Sequence, residues 1–272
     1  MFAHATPSPQ ASAGPAPPPG PALAVTLLGA FQATFDDQPL QGWPGRLSRG
    51  LFRYLIAHRE QPIPRLTLMA QFWPDADPSA ARNCLNVALH TVRSVLRAVT
   101  SAPVLLFEDD AYHFSPAITV WVDAEEFSAR LAEAQRLERD GRLYAALAEY
   151  GQAVSLYRGE FMADEPYLDW PIMERVRLRM QYLDALDRLS RQYLEHDRTA
   201  ECIQMCHLML RHDNCHEDAH HRLMQCYARQ GQRHLAVQQY HICVATLRAE
   251  LSVPPCDAIT RLYHVLRRQL AS

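Results

Sequence analysis

Lysine is missing from this 272-residue chain, so all 27 of its basic residues are arginine. A Walker A loop uses a lysine beside its glycines to hold phosphates, and the absence of lysine excludes ATP hydrolysis by that route. The Gly-x-Ser-x-Gly pattern of serine hydrolases is missing as well. We therefore predict no catalytic residue, no cofactor and no enzymatic activity.

The chain also lacks a long apolar run: no stretch of about 18 apolar residues occurs, so no membrane span is predicted. The first 22 residues carry neither a basic start nor a continuous apolar core and do not resemble a signal peptide. Their richness in proline and alanine predicts a disordered tail over 1–22. The seven cysteines follow no regular spacing, which is typical of a reducing cytosol. These features predict a cytoplasmic location.

An excess of positive charge is absent too. The formal net charge is −3, and residues 23–121 hold eight arginines against eight acids. Three of those acids, Glu108, Asp109 and Asp110, fall together in a predicted turn. Any affinity for nucleic acid therefore has to come from a local surface and not from the chain as a whole.

The most informative stretch is a predicted helix over 80–99, in which two stripes run side by side. At about 100° per residue, one stripe is an apolar seam formed by Leu85, Leu89, Val92, Leu96 and Val99. The other stripe is polar, contains no acid and consists of Arg82, Asn83, Asn86, His90, Arg93 and Arg97. Guanidinium, amide and imidazole groups along one edge of a helix suit contacts with bases and phosphates in the DNA major groove.

The chemistry of these side chains predicts different roles along the polar stripe. Arg93 and Asn86 suit base edges, because arginine pairs with guanine, and asparagine with adenine, through two hydrogen bonds. Arg82 and Arg97 lie near the ends and suit phosphates, while His90 suits either partner. Weaker phosphate candidates, for which an ordinary surface position is the favoured interpretation, are Arg49, Arg46 and His113.

The order of the predicted elements is that of a winged helix-turn-helix. Ser48 is the predicted N-cap of the first helix, and the last two segments flank the acidic turn as a hairpin. In this order of strands, three helices and a terminal hairpin, the third helix is expected to contact DNA and the hairpin to form the wing. The predicted elements are strands over 22–35, helices over 48–58, 66–72 and 80–99, and a hairpin of 104–107 with 111–114.

Beyond residue 122 the pattern is helical throughout, and three polar turns are followed by similar helical registers. The turns are centred on Gly141, Asp197 and Gly231, and the last two lie 34 residues apart, the period of tetratricopeptide helix pairs. Such pairs stack into a solenoid with a concave binding surface. The sequence therefore predicts a mainly α fold with a small β component: a winged helix-turn-helix followed by an all-α tetratricopeptide-like repeat domain.

Short landmarks follow one another in a characteristic order along residues 23–270. They include Leu23–Gly29, Arg49–Ile56, Phe72–Asp75, Val92–Leu96, Leu156–Gly159 and Glu250–Pro255. In this order they resemble the Streptomyces antibiotic regulatory protein (SARP) family. The resemblance implies an OmpR-type winged helix over 23–121 and a bacterial transcriptional activator domain of tetratricopeptide type over 122–272.

The family implies a cytoplasmic transcription factor that binds direct repeats near a promoter and recruits RNA polymerase. Its expected partners are double-stranded DNA and RNA polymerase, and a homodimer is left open. By this resemblance the recognition helix carries Arg82, Asn83, Asn86, His90 and Arg93. Thr91 departs from the pattern, since a second arginine is usual at that position.

Two other interpretations stay open. In the first, the chain is a helical-repeat adaptor whose winged helix packs against a protein and no longer binds DNA; the neutral charge of 23–121 and the missing arginine at Thr91 favour it. In the second, the cysteine- and histidine-rich region 202–226 senses a metal. Its spacing matches no standard zinc pattern, and Cys202 and Cys206 fall on small-residue core positions of the repeat, so no metal site is predicted.

Overall fold

The computed structural model describes residues 23–166 and 168–271, and its strands are all short. They are β1 (Leu23–Thr26), β2 (Gln32–Phe35), β3 (Gln38–Pro39), β4 (Ile63–Pro64), β5 (Leu105–Glu108), β6 (Ala111–Phe114) and β7 (Val120–Val122). One sheet has the order β3-β2-β1-β7, with β1 antiparallel to β2 and parallel to β7. A second sheet has the order β4-β6-β5. The predicted disordered tail, 1–22, lies outside the described residues.

Both hairpins close through a pair of aspartates in the left-handed region of the backbone. Asp36 and Asp37 have φ values of 45° and 65°, and Asp109 and Asp110 have values of 48° and 61°. Positive φ at both central residues gives a tight turn whose twist matches that of the strands, and aspartate tolerates this region better than most residues. The predicted wing hairpin is therefore present as β5 and β6, in which Glu108 faces Ala111.

Three helices, α1 (Arg46–Ala57), α2 (Arg65–Phe72) and α3 (Pro78–Arg97), lie between β3 and β5 in sequence, and β4 separates α1 from α2. The prediction that Ser48 caps the first helix is wrong. The N-cap is Gly45 in extended backbone, and the Ser48 hydroxyl donates to the Gly45 carbonyl oxygen at 3.2 Å from inside the first turn. α3 begins two residues before the predicted 80–99, because proline is well suited to the first position of a helix.

The apolar seam of α3 forms the core of the winged helix together with α1 and α2. Leu85, Leu89 and Val92 are at most 1% exposed, and Phe52 and Leu55 of α1 are equally buried. The Phe52 ring also contacts aromatic rings from the β1–β2 turn, from the segment before α1 and from β6, namely Phe31, Trp43 and Phe114. Burial of one face of α3 leaves its opposite face free for solvent or a ligand.

Packing divides the chain into two compact units. The first unit runs through Glu126 and also takes in Arg158–Leu168, a segment that lies within the predicted second domain, 122–272. This segment joins the end of β1 through backbone hydrogen bonds, from the N–H of Met162 to Leu27 (2.7 Å) and from the N–H of Gly29 to Glu160 (3.1 Å). The contact is close, because a Cβ added at Gly159 would lie 3.1 Å from the Gly29 Cα.

The second unit, Phe127–Tyr157 together with the residues from Asp169 on, is helical. The predicted turns at Gly141, Asp197 and Gly231 separate successive helices, and each central residue has a positive φ (72°, 58° and 75°). From α5 onward each helix packs on the next. The helices after α3 are α4 (Asp123–Arg139), α5 (Leu143–Leu156), α6 (Ile172–Glu195), α7 (Thr199–His212), α8 (Glu217–Arg229), α9 (Arg233–Glu250) and α10 (Asp257–Ala271).

The predicted fold class, mainly helical with a small β component, is confirmed. The small residues five positions past each turn centre, Ala146, Cys202 and Ala236, are fully buried where neighbouring helices approach. Among the described residues, no helix has both the length and the apolar character needed to cross a bilayer.

Candidate nucleic-acid interface

The polar stripe of α3 lies beside the buried seam, on the exposed part of the helix. The five stripe residues Arg82, Asn83, Asn86, His90 and Arg97 are exposed, and Arg93 is half-buried. α3 contains no acid. Within the described part of the chain, none of its three arginines forms an ion pair with a carboxylate. The structure therefore brings these six side chains together as one open surface.

Arg93 differs from the other two arginines of α3 because it lies against the wing. Its guanidinium carbon is 6.0 Å from the centroid of the Tyr112 ring on β6, at the outer limit of a cation–π contact. The same neighbour acts on the tyrosine: burial raises the pKa of Tyr112, and the charge of Arg93 partly opposes that rise. This contact restricts the Arg93 side chain, whereas Arg82 and Arg97 project freely near the ends of the helix.

The predicted phosphate candidates on α1 are held by acids. Arg46 Nη2 lies 2.9 Å from Glu165 Oε2, and Arg49 Nη2 lies 3.4 Å from Glu165 Oε1. Arg53, fully buried one turn further along, pairs with Asp164 and stacks on the Phe31 ring at 4.2 Å. Arg49 is therefore not a free cation like those of α3, and the acids that neutralise it lie more than 100 residues away in sequence.

The wing carries negative charge at its tip. Asp110 is paired with Arg65 of α2 at 2.5 Å, and His113 Nε2 lies 3.8 Å from Glu108 Oε2. Asp109 adds a further carboxylate at the turn. A wing of this composition repels phosphates, so the basic character of the first unit is concentrated on α3.

One exposed residue of α3 was missed by the analysis of residue types. Val87 is 67% exposed on the polar side of the helix and faces a shallow apolar groove that continues to Leu47 of α1, which is 45% exposed. The sequence did contain a signal: Val87 does not fall on the positions of the apolar seam, so its side chain is not buried in the core.

The cysteine-rich region forms part of the core of the second unit. Cys202, Cys206 and Cys226 are fully buried at the α7–α8 interface. A hydrogen bond with Cys202, together with burial, raises the pKa of both Cys206 and Cys226 and keeps these thiols protonated. Among the described residues, no group of three or more His, Cys, Asp or Glu is arranged to hold a metal ion.

A His-Glu-x-x-His run occurs at 216–220, and zinc proteases bind their metal with this spacing. The run therefore bears on the prediction of no catalytic residue. His216 is the N-cap of α8, and its Nδ1 accepts the Ala219 N–H at 3.3 Å. Buried His220 donates from Nε2 to the Asn214 carbonyl oxygen (2.9 Å), while its Nδ1 accepts from Gln239 (2.6 Å). Both ring nitrogens of His220 are engaged, so the run stabilises the start of α8 and does not present two free ligands.

Comparisons with known proteins agree with this architecture. The family model of the bacterial transcriptional activator domain matches residues 122–267. The chain is 23% identical over 252 residues to the transcriptional regulatory protein MoaR1 of Mycobacterium tuberculosis, covering 92% of this chain and 80% of MoaR1, and equally to MoaR1 of Mycobacterium bovis.

A solved structure of similar fold is Mycobacterium tuberculosis EmbR in complex with a low-affinity phosphopeptide. It aligns with a TM-score of 0.71 at 21% identity, covering 92% of this chain, which spans 66% of the EmbR chain. The resemblance to the SARP family is confirmed. Because the family model covers more than half of the sequence, this chain belongs to the bacterial transcriptional activator domain family and is a transcriptional regulator of the SARP type.

Proposed function

We propose that this protein is a sequence-specific, double-stranded-DNA-binding transcriptional activator that reads promoter DNA with α3. The observation that carries the proposal is the open stripe on that helix, which holds three arginines, two asparagines and a histidine and no acid. Among the described residues none of the three arginines pairs with a carboxylate. Elsewhere in the first unit, Arg46, Arg49, Arg53 and Arg65 are paired with carboxylates. Free positive charge on one helix edge favours a polyanion at that edge.

The roles within the stripe follow from position and freedom of movement. Arg93, restricted by Tyr112, and Asn86 in the middle of the helix are suited to base edges, where a fixed geometry gives discrimination. Arg82 and Arg97 at the two ends reach outward to phosphates, which hold the helix in register. His90 lies between them. The acidic wing leaves α3 as the main source of affinity.

The proposals for RNA polymerase and for a second copy of the chain as partners are based on family membership. Relatives with a bacterial transcriptional activator domain are transcriptional regulators, and this supports a second unit that contacts RNA polymerase in the bacterial cytoplasm. Two copies on neighbouring direct repeats would double the contact area with DNA without requiring a dimer in solution.

A mobility-shift titration of the full chain against sites selected from random DNA tests the DNA-binding proposal. With the two phosphate contacts assigned to Arg82 and Arg97, binding should weaken by roughly tenfold between 50 and 200 mM salt. Arg233→Ala, which removes an exposed arginine of the second unit, is the matched control and should leave binding unchanged. Addition of the protein to a transcription reaction on a selected promoter should raise transcript yield, which an ordinary repressor would lower.

A second candidate is the adaptor, in which the winged helix packs against a protein partner. The acidic wing favours it, because Glu108 and Asp109 oppose the approach of a phosphate backbone. The same titration separates the two functions: an adaptor would show no retained DNA at 50 mM salt with any selected site.

A further inference from the structure

Val87 is an exposed apolar side chain at the edge of the polar stripe of α3. Its neighbours one helical turn away include Asn83 and His90, which are polar and exposed. A single exposed valine needs no explanation, but this one, 67% exposed, borders an apolar groove. The arrangement gives the candidate interface two chemical zones side by side, one charged and one apolar.

The groove lies between the start of α1 and the exposed face of α3 and has a volume of about 430 Å³. Its apolar walls come from Pro44 and Leu47 on one side and from Val87 and Ala88 on the other. The Thr91 hydroxyl, at one end, already donates to the Val87 carbonyl oxygen at 3.1 Å. No charged side chain lines the groove, so it favours an apolar group of small size.

We propose that this groove receives the C5-methyl group of a thymine in the major groove, with Val87 as the contacting side chain. The inference rests on the proposed function, in which α3 enters the major groove. Thymine alone among the four bases presents a methyl group there, and apolar side chains read it. Val87 would therefore select thymine at a position next to the base read by Asn86.

The position of Val87 favours DNA over a protein as the occupant. It lies one helical turn after Asn83, which itself lines the groove, so a duplex that contacts the Asn83 amide also reaches the groove. The three arginines of α3, which pair with no carboxylate in the described part of the chain, lie on the neighbouring stripe of the same helix, and charge complementarity therefore favours a polyanion at α3. A protein bound in this groove would have to displace DNA from α3.

Replacing thymine by deoxyuridine tests the proposal, because it removes only the methyl group and keeps base pairing. The probe is a selected site, prepared with all thymines or all deoxyuridines, bound to the full chain. Wild-type protein should bind the deoxyuridine site about fourfold more weakly for each thymine contacted, the effect of losing one buried methyl-sized group. Substitution of single thymines then locates the sensitive position.

Val87→Ala should bind the thymine site about fourfold more weakly than wild type. The same variant should bind the deoxyuridine site as tightly as it binds the thymine site. Val265→Ala, which shortens a valine that is 50% exposed on α10, is the matched control and should behave like wild type. Equal binding of both sites by wild-type protein would overturn the inference and leave the proposed function intact. Undiminished sensitivity to deoxyuridine in Val87→Ala would also overturn it, whereas no binding to either site would remove the proposed function and the inference together.

Discussion

The Asp123 carboxylate accepts the backbone N–H of Leu27 at 2.7 Å, and its second oxygen accepts the next N–H, of Leu28, at 3.0 Å. Asp123 is fully buried at the start of α4. Burial raises its pKa from 3.8 to about 6, and the two backbone N–H groups oppose that rise. A buried acid that titrates near neutrality links the stability of the first unit to pH.

The sign of this linkage is a testable prediction. Because the folded-state pKa is raised, the stabilising contribution is fully present below pH 3.8 and is lost as the pH rises through 6. Between pH 5 and 7.5 wild type should lose about 1 kcal/mol relative to Asp123→Asn, which does not titrate. Urea unfolding of both proteins across that range measures the difference, and parallel stability profiles would contradict the prediction.

Arg93→Ala should weaken binding to the best site by about 1–3 kcal/mol and relax base preference at one position. Arg97→Ala should instead weaken selected and random DNA alike and reduce the salt slope by about 0.9. Titrations of both variants on both kinds of DNA compare the two roles. Equal losses for Arg93→Ala on selected and random DNA would make Arg93 a phosphate contact.

The ion pair between buried Arg53 and the partly exposed Asp164 should contribute to stability. Asp164→Ala leaves a buried guanidinium without its main partner and should cost about 2–3 kcal/mol, less than a fully buried pair because Asp164 is partly exposed. Arg53→Met combined with Asp164→Ala should recover part of that loss. Urea unfolding is the measurement, and exposed Asp169→Ala is the control, with a change below about 0.5 kcal/mol. If Asp164→Ala and Asp169→Ala unfold alike, the pair contributes nothing.

The rate at which native cysteines are modified reports which face of the protein DNA covers. Cys84 on α3 and Cys256 before α10 are both exposed, so N-ethylmaleimide should modify both in the free protein. With a selected site at about ten times Kd, mass action leaves roughly a tenth of the protein free, and modification of Cys84 should slow about tenfold while that of Cys256 is unchanged. Peptide mass spectrometry follows both rates; the same rate at Cys84 with and without DNA would argue against α3 as the reader.

Local patterns were sufficient for much of the fold. The seam of α3 follows from apolar residues one turn apart, and the turns at Gly141, Asp197 and Gly231 follow from polar residues between helical registers. The wing follows from two strand-like segments around Asp109 and Asp110. In each case the information lies within a few residues of the element, where propensity and periodicity act.

Pairings over long sequence distances could not be predicted in the same way. Nothing near Arg49 indicates that Glu165 lies beside it, and nothing near Gly29 indicates the approach of Glu160. The stripe on α3 was predicted as a set because one helix positions all of its members. Val87 was missed because residue type alone does not distinguish an unused apolar side chain from a core one.

The anchoring of β1 has a practical consequence for dissecting this protein. The N–H groups of Leu27, Leu28 and Gly29 bond to Asp123 and Glu160, both of which come after residue 121. A fragment truncated at 121 would leave three neighbouring donors without acceptors and would expose Arg53, so it should be a poor stand-alone module. A shorter version that folds would need to retain Asp123 and to graft 158–168 back onto the strand.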